Sequence, residues 1–598
     1  MGESTKRLPD ERQRNRLWTA ILSLSVVVLV VSTSYRLANV CLTEEETAAL
    51  EYDPCCDYPC MNLGVCTSNE FNDYTCDCTG TGYYGIKCTI PEIGTLLSSF
   101  IPDAISAYGF LTSHDWFWNI VNKNHGLRDQ VSARLYLSLS DFTDSPPTFE
   151  SDHTFITADA FFNDSLFTRS LPPVPIRCPT PMGTKGPKEL PNIDTLVEKL
   201  FARKEFHPDP QNSNLLFQYY ALHFGRQFVQ GPGSGPQLFK GTGEMDASHI
   251  YGTEEKDRQL LRSGINGKLR SQILNGEEFP PSLSDNADMS TSQPLKNQSF
   301  ALAHPTFSSS PGLFVFATIW LREHNRVCDE LLKVHSDWDD ERLYETARLI
   351  VSGEVVKITL VDFVQHLSQY KLDLSFNPEL LHETRFQFHN RIHAEFNHLF
   401  DWHPFVADYL LINNANYSLK DYSSPLDPVF NEGIDKFTEA LLKTRAGVIT
   451  AQNHGESLYP FLKEALKASR QLRFQGLNAY RRKFNLMPFG SFEELTGDKE
   501  IASLLEEVYE DINAVEFYVG LLVERSDSSI SGVTMMNMAV AWTIKSIYSS
   551  PLCSQLYWKP STFGGKVGWD IIQNTSLQKL FCLNLRTLCR DFQFTVLS

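Results

Sequence analysis

At 598 residues the chain is too long for one ordinary core, and 42% apolar with 21% charged residues excludes a disordered or fibrous chain. A formal net charge of −19 excludes a nucleic-acid partner, which would need a basic surface. The 40 phenylalanines suit a large buried core, and equally a wide apolar pocket.

Residues 1–38 read as a targeting segment. Lys6, Arg7, Arg12, Arg14 and Arg16 precede an apolar run from Leu17 to Val31. The run is about 15 residues, where a membrane span takes roughly 20. Ser32-Thr33-Ser34 and Ala38-Asn39 follow as sites for cleavage. A cleaved secretory signal is expected, with an uncleaved signal anchor as the alternative. The cysteines agree with export: of 13, seven fall between Cys55 and Cys88. After a signal sequence that density predicts disulfides rather than zinc. Asn163, Asn297, Asn416 and Asn574 begin Asn-x-Ser/Thr triplets and are glycosylation candidates.

Residues 52–89 form a cysteine-rich unit too small for a core of its own. Residues 90–140 carry Phe100-Ile101-Pro102, Phe110-Leu111 and Trp116-Phe117-Trp118, with apolar residues at three- and four-residue spacing. They predict short amphipathic helices, broken at Pro102 and again near Asn122 to His125. Such helices pack on a core, or lie in one leaflet of a membrane without crossing it. Residues 141–598 read as mainly helical, with long helices over 312–335, 340–368 and 500–525. No repeat, low-complexity tract or glycine-rich phosphate loop interrupts them.

Cys55, Cys60, Cys66, Cys76, Cys78 and Cys88 resemble an epidermal-growth-factor-like module, most specifically in Cys76-Asp77-Cys78 and Gly82-Tyr83-Tyr84-Gly85-Ile86-Lys87-Cys88. The likeness implies the pairs Cys55–Cys66, Cys60–Cys76 and Cys78–Cys88. The remainder resembles the cyclooxygenases (prostaglandin G/H synthases), a family of haem peroxidases. The supports run in order: Arg177-Cys178-Pro179-Thr180-Pro181-Met182-Gly183, Trp320-Leu321-Arg322-Glu323-His324-Asn325-Arg326, Phe363-Val364-Gln365-His366-Leu367-Ser368, Ala394-Glu395-Phe396-Asn397-His398-Leu399-Phe400-Asp401-Trp402-His403-Pro404, and Tyr557-Trp558-Lys559-Pro560-Ser561-Thr562-Phe563-Gly564-Gly565. This likeness implies a helical haem-peroxidase domain over 141–598, monotopic membrane-binding helices over 90–140, and a homodimer. It places the protein on the luminal face of the endoplasmic reticulum or another endomembrane, although the terminal Phe594-Thr595-Val596-Leu597-Ser598 is not a retention signal. It also implies the bridges Cys56–Cys178 and Cys582–Cys589.

Members of that family join two haem-dependent steps. One reduces a hydroperoxide; the other oxygenates a polyunsaturated fatty acid through a tyrosyl radical. Carried over residue by residue, His403 matches the axial ligand of haem b. Leu222 and Arg226 stand where the family has its distal Gln and His, one helical turn apart. Arg stays protonated in proteins, so it cannot be a general base. His223 matches a second family histidine, on a different helix face. Phe400 stands at the radical tyrosine and lacks its O–H. Leu139 replaces the mouth arginine that pairs with the fatty-acid carboxylate; Arg134 lies off that face. Asn537 replaces the glutamate beside that arginine, and Phe363 a tyrosine in the channel. Tyr370 and Val364 are retained, and Thr543 keeps a hydroxyl at the channel serine. No family catalytic residue is intact, so the standard activity is expected to be weak or absent. The alternative is a non-catalytic haem- or lipid-binding member or partner subunit. A mouth without charge favours a neutral lipid over a free fatty acid.

Overall fold

The computed structural model describes residues 54–93, 114–143, 168–228, 245–283, 300–384, 392–586 and 589–596, less short interruptions at 58, 63, 69–72, 80, 175–177, 179–188, 253–254, 383, 401, 424–425, 527 and 590–591. The N-terminal signal region, Asn163 and Asn297 lie outside the described residues. So does much of the expected membrane patch.

The cysteine-rich unit is built from two small antiparallel pairs, Val65–Ser68 (β1) with Tyr74–Asp77 (β2), and Tyr83–Tyr84 (β3) with Ile90–Pro91 (β4). Strands this short cannot bury a core, and disulfides hold them instead. Cys66 pairs in register with Cys76, which sets their sulfurs on bridges to Cys55 and Cys60 respectively. Cys78 is bonded to Cys88, and Cys56 to Cys178 of the main body. Cys582 is bonded to Cys589.

Asp115–Lys123 (α1) and His125–Thr143 (α2) follow, separated at Asn124, whose backbone is extended. Trp118 and Val121 of α1 are buried with Leu372 in a small cluster of their own, while Trp116 and Ile120 stay exposed. Among the described residues no helix is long and apolar enough to cross a membrane.

The main body is helical and forms around Pro311–Val334 (α4), after Leu215–Gly225 (α3). Pro311 starts α4 without loss, because a first-turn N–H has no helical partner anyway. From Pro311 to Asn325 the helix is buried on every side, as expected of a helix inside a large core. Its polar residues are therefore paired. The Arg322 guanidinium donates to Glu278 O (2.7 Å), Asn584 O (2.8 Å) and Glu277 Oε2 (3.0 Å). Gly312 lets α4 approach α3: a Cβ there would meet the Tyr219 ring at 2.3 Å. Asp340–Ile358 (α5) is capped by Asp339, which accepts the Arg342 N–H at 2.9 Å. It continues through a π-helical turn, Thr359–Val364, into Gln365–Leu367. Val533–Tyr548 (α6) packs on α2, on the 3-10 turn Ala394–Phe400 and on the π turn.

The helix expected over 500–525 is broken. Lys499–Tyr509 ends at Glu510, whose φ is +58°, and Phe517–Val523 resumes after a short 3-10 turn. Two side chains cause the break. Asp511 accepts the Asn513 N–H at 2.9 Å, competing with the helix. Glu516 is drawn inward by the Tyr509 O–H (2.7 Å) and by Arg470 Nε (2.8 Å) and Nη2 (2.9 Å).

Candidate functional site

His403 opens the one-turn 3-10 helix His403–Phe405, with Pro404 next. One guanidinium fixes this loop. Arg203 Nη2 donates to Pro404 O (3.2 Å), Val406 O (3.0 Å) and Asn453 O (2.6 Å), and its Nη1 meets Asp408 Oδ1 at 2.6 Å. The His403 loop and the Asn453-His454 loop are thereby tied to one side chain. Gly447 backs the same loop: its N–H donates to Phe405 O, and a Cβ would lie 2.2 Å from Pro404 O. Only glycine tolerates that approach.

The His403 ring stacks on Phe461, centroids 5.9 Å apart. Its side chain is partly accessible, yet protein crowds it closely enough that burial, helped by the Arg226 charge, lowers its pKa to about 4. The imidazole is therefore neutral near pH 7. Its Nδ1 is enclosed with no hydrogen-bond partner. His454 is fully buried with both ring nitrogens unpartnered, and His403 is near enough to perturb it.

On α3, Asn214 caps the first turn by accepting the Phe217 N–H at 3.1 Å, and its Nδ2 holds Gln593 O and Thr595 O. That fixes the helix carrying Leu222, His223 and, at its end, Arg226. Leu222 is half-buried in the core. His223 is buried, stacked on Phe307 at 4.5 Å and edge-on to His249 at 5.0 Å. Phe307 in turn touches His304 at 5.6 Å. Burial lowers the pKa of His249 to about 3, and burial with the Arg226 charge lowers that of His304 to about 4. The Arg226 guanidinium thus acts on His304 as well as on His403. His304 Nδ1 accepts the Thr306 N–H at 3.3 Å, which leaves the imidazole proton on Nε2. Among the described residues no group of three His, Cys, Asp or Glu could hold a bare metal ion.

Thr543, on α6, is fully buried, and its hydroxyl has no partner. Asn537, on the same helix, spends its amide on Val533 O at 2.9 Å. Leu139, on α2, is half-buried. Val364 and Phe363 are buried, and Phe363 stacks on Phe217 at 5.0 Å and Trp402 at 6.1 Å. Tyr370 is 46% exposed. Its hydroxyl is 3.1 Å from His366 Nδ1, and the other nitrogen of that ring is 2.6 Å from Ser213 Oγ. Asn416 and Asn574 are exposed. The Phe400 backbone ends the turn before Trp402; its side chain and Asp401 lie outside the described residues.

A model of the animal haem peroxidase family matches residues 217–594. Prostaglandin G/H synthase 2 of Gallus gallus is 45% identical over 554 residues, covering 91% of this chain and 92% of that protein. The chain belongs to the prostaglandin G/H synthase family of animal haem peroxidases. Prostaglandin G/H synthase 1 of Rattus norvegicus is 43% identical over 551 residues, covering 91% of each. Two solved structures share the fold of these peroxidases at low identity. Peroxidase A of Dictyostelium discoideum aligns with TM-score 0.59 at 15% identity, over 72% of this chain and 96% of its own. A fatty acid alpha-dioxygenase of Oryza sativa aligns with TM-score 0.59 at 15% identity, over 81% and 95%.

The donor set fits a haem of the kind this family is named for. A neutral imidazole is what an axial ligand needs, and the enclosed, unpartnered Nδ1 leaves that ring's second nitrogen in want of a partner. His304, His454 and Arg203 belong to the same neighbourhood and carry no signal in the sequence. They reach it through tertiary packing, and no fixed spacing links them to His403.

Proposed function

We propose that this protein holds haem b on His403 and takes an uncharged long-chain lipid, with the family's standard oxygenation and peroxide reduction lost or much reduced. The observation that carries the reading is the neutral, clamped His403 facing the charge field of Arg226. When bound, haem supplies one-electron oxidation driven by peroxide. The side chains around it set what can follow. Arg226 stabilises negative charge developing on a peroxide oxygen, but it cannot take up the peroxide's proton. Phe400 has no phenolic hydrogen to give up, so it cannot pass oxidation on to a bound acyl chain. Leu139 and Asn537 leave the mouth without a charged pair. Losing only one of the two would have stranded a partly buried charge, at a cost of about 3–5 kcal/mol if well buried.

The secretory signal and the amphipathic helices expected from the sequence over 1–38 and 90–140, with the bridges present, support a luminal, one-leaflet location, and the family supports a homodimer. A second reading, a non-catalytic haem- or lipid-binding partner subunit, is favoured by Phe400 and Arg226 together. Haem reconstitution tests the first claim. A Soret band lost on His403→Ala is expected; a band unchanged by that substitution overturns it. Oxygen uptake with arachidonate tests for residual oxygenation, which the second reading denies altogether. A wild-type rate typical of the family would refute the role given to Phe400. Uptake that appears in Phe400→Tyr carrying Leu139→Arg would show a scaffold still competent for catalysis.

A further inference from the structure

Several buried hydroxyls on the helices of this protein bond the carbonyl one turn back. Thr318 donates to Phe314 O (2.8 Å), Ser352 to Arg348 O (2.8 Å), Thr359 to Val355 O (2.7 Å) and Thr438 to Ile434 O (2.7 Å). That bond satisfies a hydroxyl which has left water. Thr543 and Ser546 on α6 make no such bond. Both are 0% exposed, and neither Oγ has any partner. They lie three residues apart, so both occupy one face of the helix. Leaving two hydroxyls unmet in a dry interior is costly, and such groups call for a bound partner.

The surroundings define that partner. α6 packs on α2, the helix of Leu139, and on the turn that ends at Phe400. Val540, one turn before Thr543, is half-buried and apolar, and Ala539 and Ile547 are buried. The α6 residues one turn to either side of Thr543 are therefore apolar. At 1.5 Å per residue, Thr543 and Ser546 lie about 9–14 Å along the helix from Asn537, at the mouth. A polar head held at the mouth would not reach them. An oxygen part-way along an acyl chain would.

We infer that Thr543 and Ser546 form a subsite for an oxygen function, a hydroxyl or hydroperoxide, carried on the acyl chain of an uncharged long-chain lipid. The inference rests on the lipid reading above and names the lipid. Two hydrogen bonds to such a group are worth roughly tenfold in affinity.

The test uses the full-length, haem-reconstituted protein and three probes: methyl 10-hydroxyoctadecanoate, methyl octadecanoate and free 10-hydroxyoctadecanoate. Binding is followed by quenching of tryptophan fluorescence, with Trp542 on the same helix. The hydroxy ester is expected to bind about tenfold more tightly than the plain ester. Thr543→Val combined with Ser546→Ala brings that ratio to about one, and an unchanged far-ultraviolet circular dichroism spectrum shows that the variant is folded. Thr543→Ser keeps a hydroxyl and should keep the ratio. A wild-type ratio near one, or a ratio unmoved in the double variant, overturns the subsite and leaves water as the partner of the hydroxyls. Tighter binding of the free acid than of its ester overturns the uncharged head. Binding of neither ester sinks the lipid reading itself, and loss of the Soret band alone touches only the haem.

Discussion

His454 has both ring nitrogens buried and unpartnered, and the Nδ1 of nearby His403 is in the same state. A lone imidazole so placed costs the fold and returns nothing, unless its neighbour acquires an N–H to give. A metal held by His403 would fix the ring's remaining proton on the nitrogen not used for binding, and ligating histidines regularly hand that proton to a nearby acceptor. His454→Leu therefore should lower haem affinity by about 10–100-fold, read by haem titration. The same variant should leave the apoprotein as stable as the parent, or more so, since two unmet polar groups are removed. Unchanged haem affinity would show that His454 does not serve His403. His324 gives a different kind of prediction. It is fully buried, with Nδ1 2.9 Å from the Tyr251 hydroxyl and Nε2 2.9 Å from Gly267 O. Burial lowers its pKa to about 4, below the ordinary 6.5; Arg262 and Arg348 push the same way, and the Gly267 bond opposes. Between those values the unfolded chain binds the proton and the fold does not. Stability from this group is thus complete above pH 6.5 and drains as pH falls toward 4. From pH 6.5 to 5 the loss is about 2 kcal/mol. Whatever His324→Gln costs at pH 7, its urea midpoint should fall less over that interval than the wild type's. Parallel curves would contradict the neutral buried imidazole.

The distal side depends on how closely two helices approach. Gly312 on α4 lies under the Tyr219 ring of α3, and a Cβ would come within 2.3–2.4 Å of three ring carbons. Replacing helical glycine by alanine ordinarily gains about 0.5–1 kcal/mol. Overpacking a rigid core costs about 1–3 kcal/mol, so the steric term wins. Gly312→Ala should lower the unfolding midpoint, and it should weaken haem binding as well, because α3 carries Arg226. A gain in stability would mean that α3 yields freely. These contacts separate what could be read from the sequence from what could not. The periodic apolar pattern of α4 and α5 shows in the chain, and so do His403, Leu222 and Arg226, because each sits in an unbroken local motif. The break at Glu510 did not show, because its cause includes Arg470, which lies 40 residues away in the chain and meets Glu516 only in the fold. His304, His454 and Arg203 were hidden for the same reason. A side chain that reaches a site through packing leaves no periodic trace.

At the scale of the whole molecule, the five bridges among the described residues divide the chain unequally. Three close loops of 10 to 16 residues inside the cysteine-rich unit. Cys56–Cys178 spans 122 residues and joins that unit to the main body, where Cys56, Cys178 and Val174 form a small buried cluster. Arg473 secures the far side, donating from Nη2 to Cys178 O and from Nε to Val174 O, each at 2.6 Å. Cys582–Cys589 spans only seven residues, and Cys589 is exposed. Loop-closure entropy values the long bridge at about 5 kcal/mol and the short one at about 2 kcal/mol. Replacing Cys56 and Cys178 by serine should therefore cost about twice as much as replacing Cys582 and Cys589, compared by urea unfolding under oxidising conditions. Kinetics should run in the opposite order. A thiolate must reach a sulfur to break a bridge, and Cys56 and Cys178 are 1% and 3% exposed. Under mild reductant Cys582–Cys589 should open first with little loss of stability, and Cys56–Cys178 last with a large one. Early reduction of Cys56–Cys178 in the native protein would mean that the unit swings away from the body and that the buried cluster around Val174 does not hold it there.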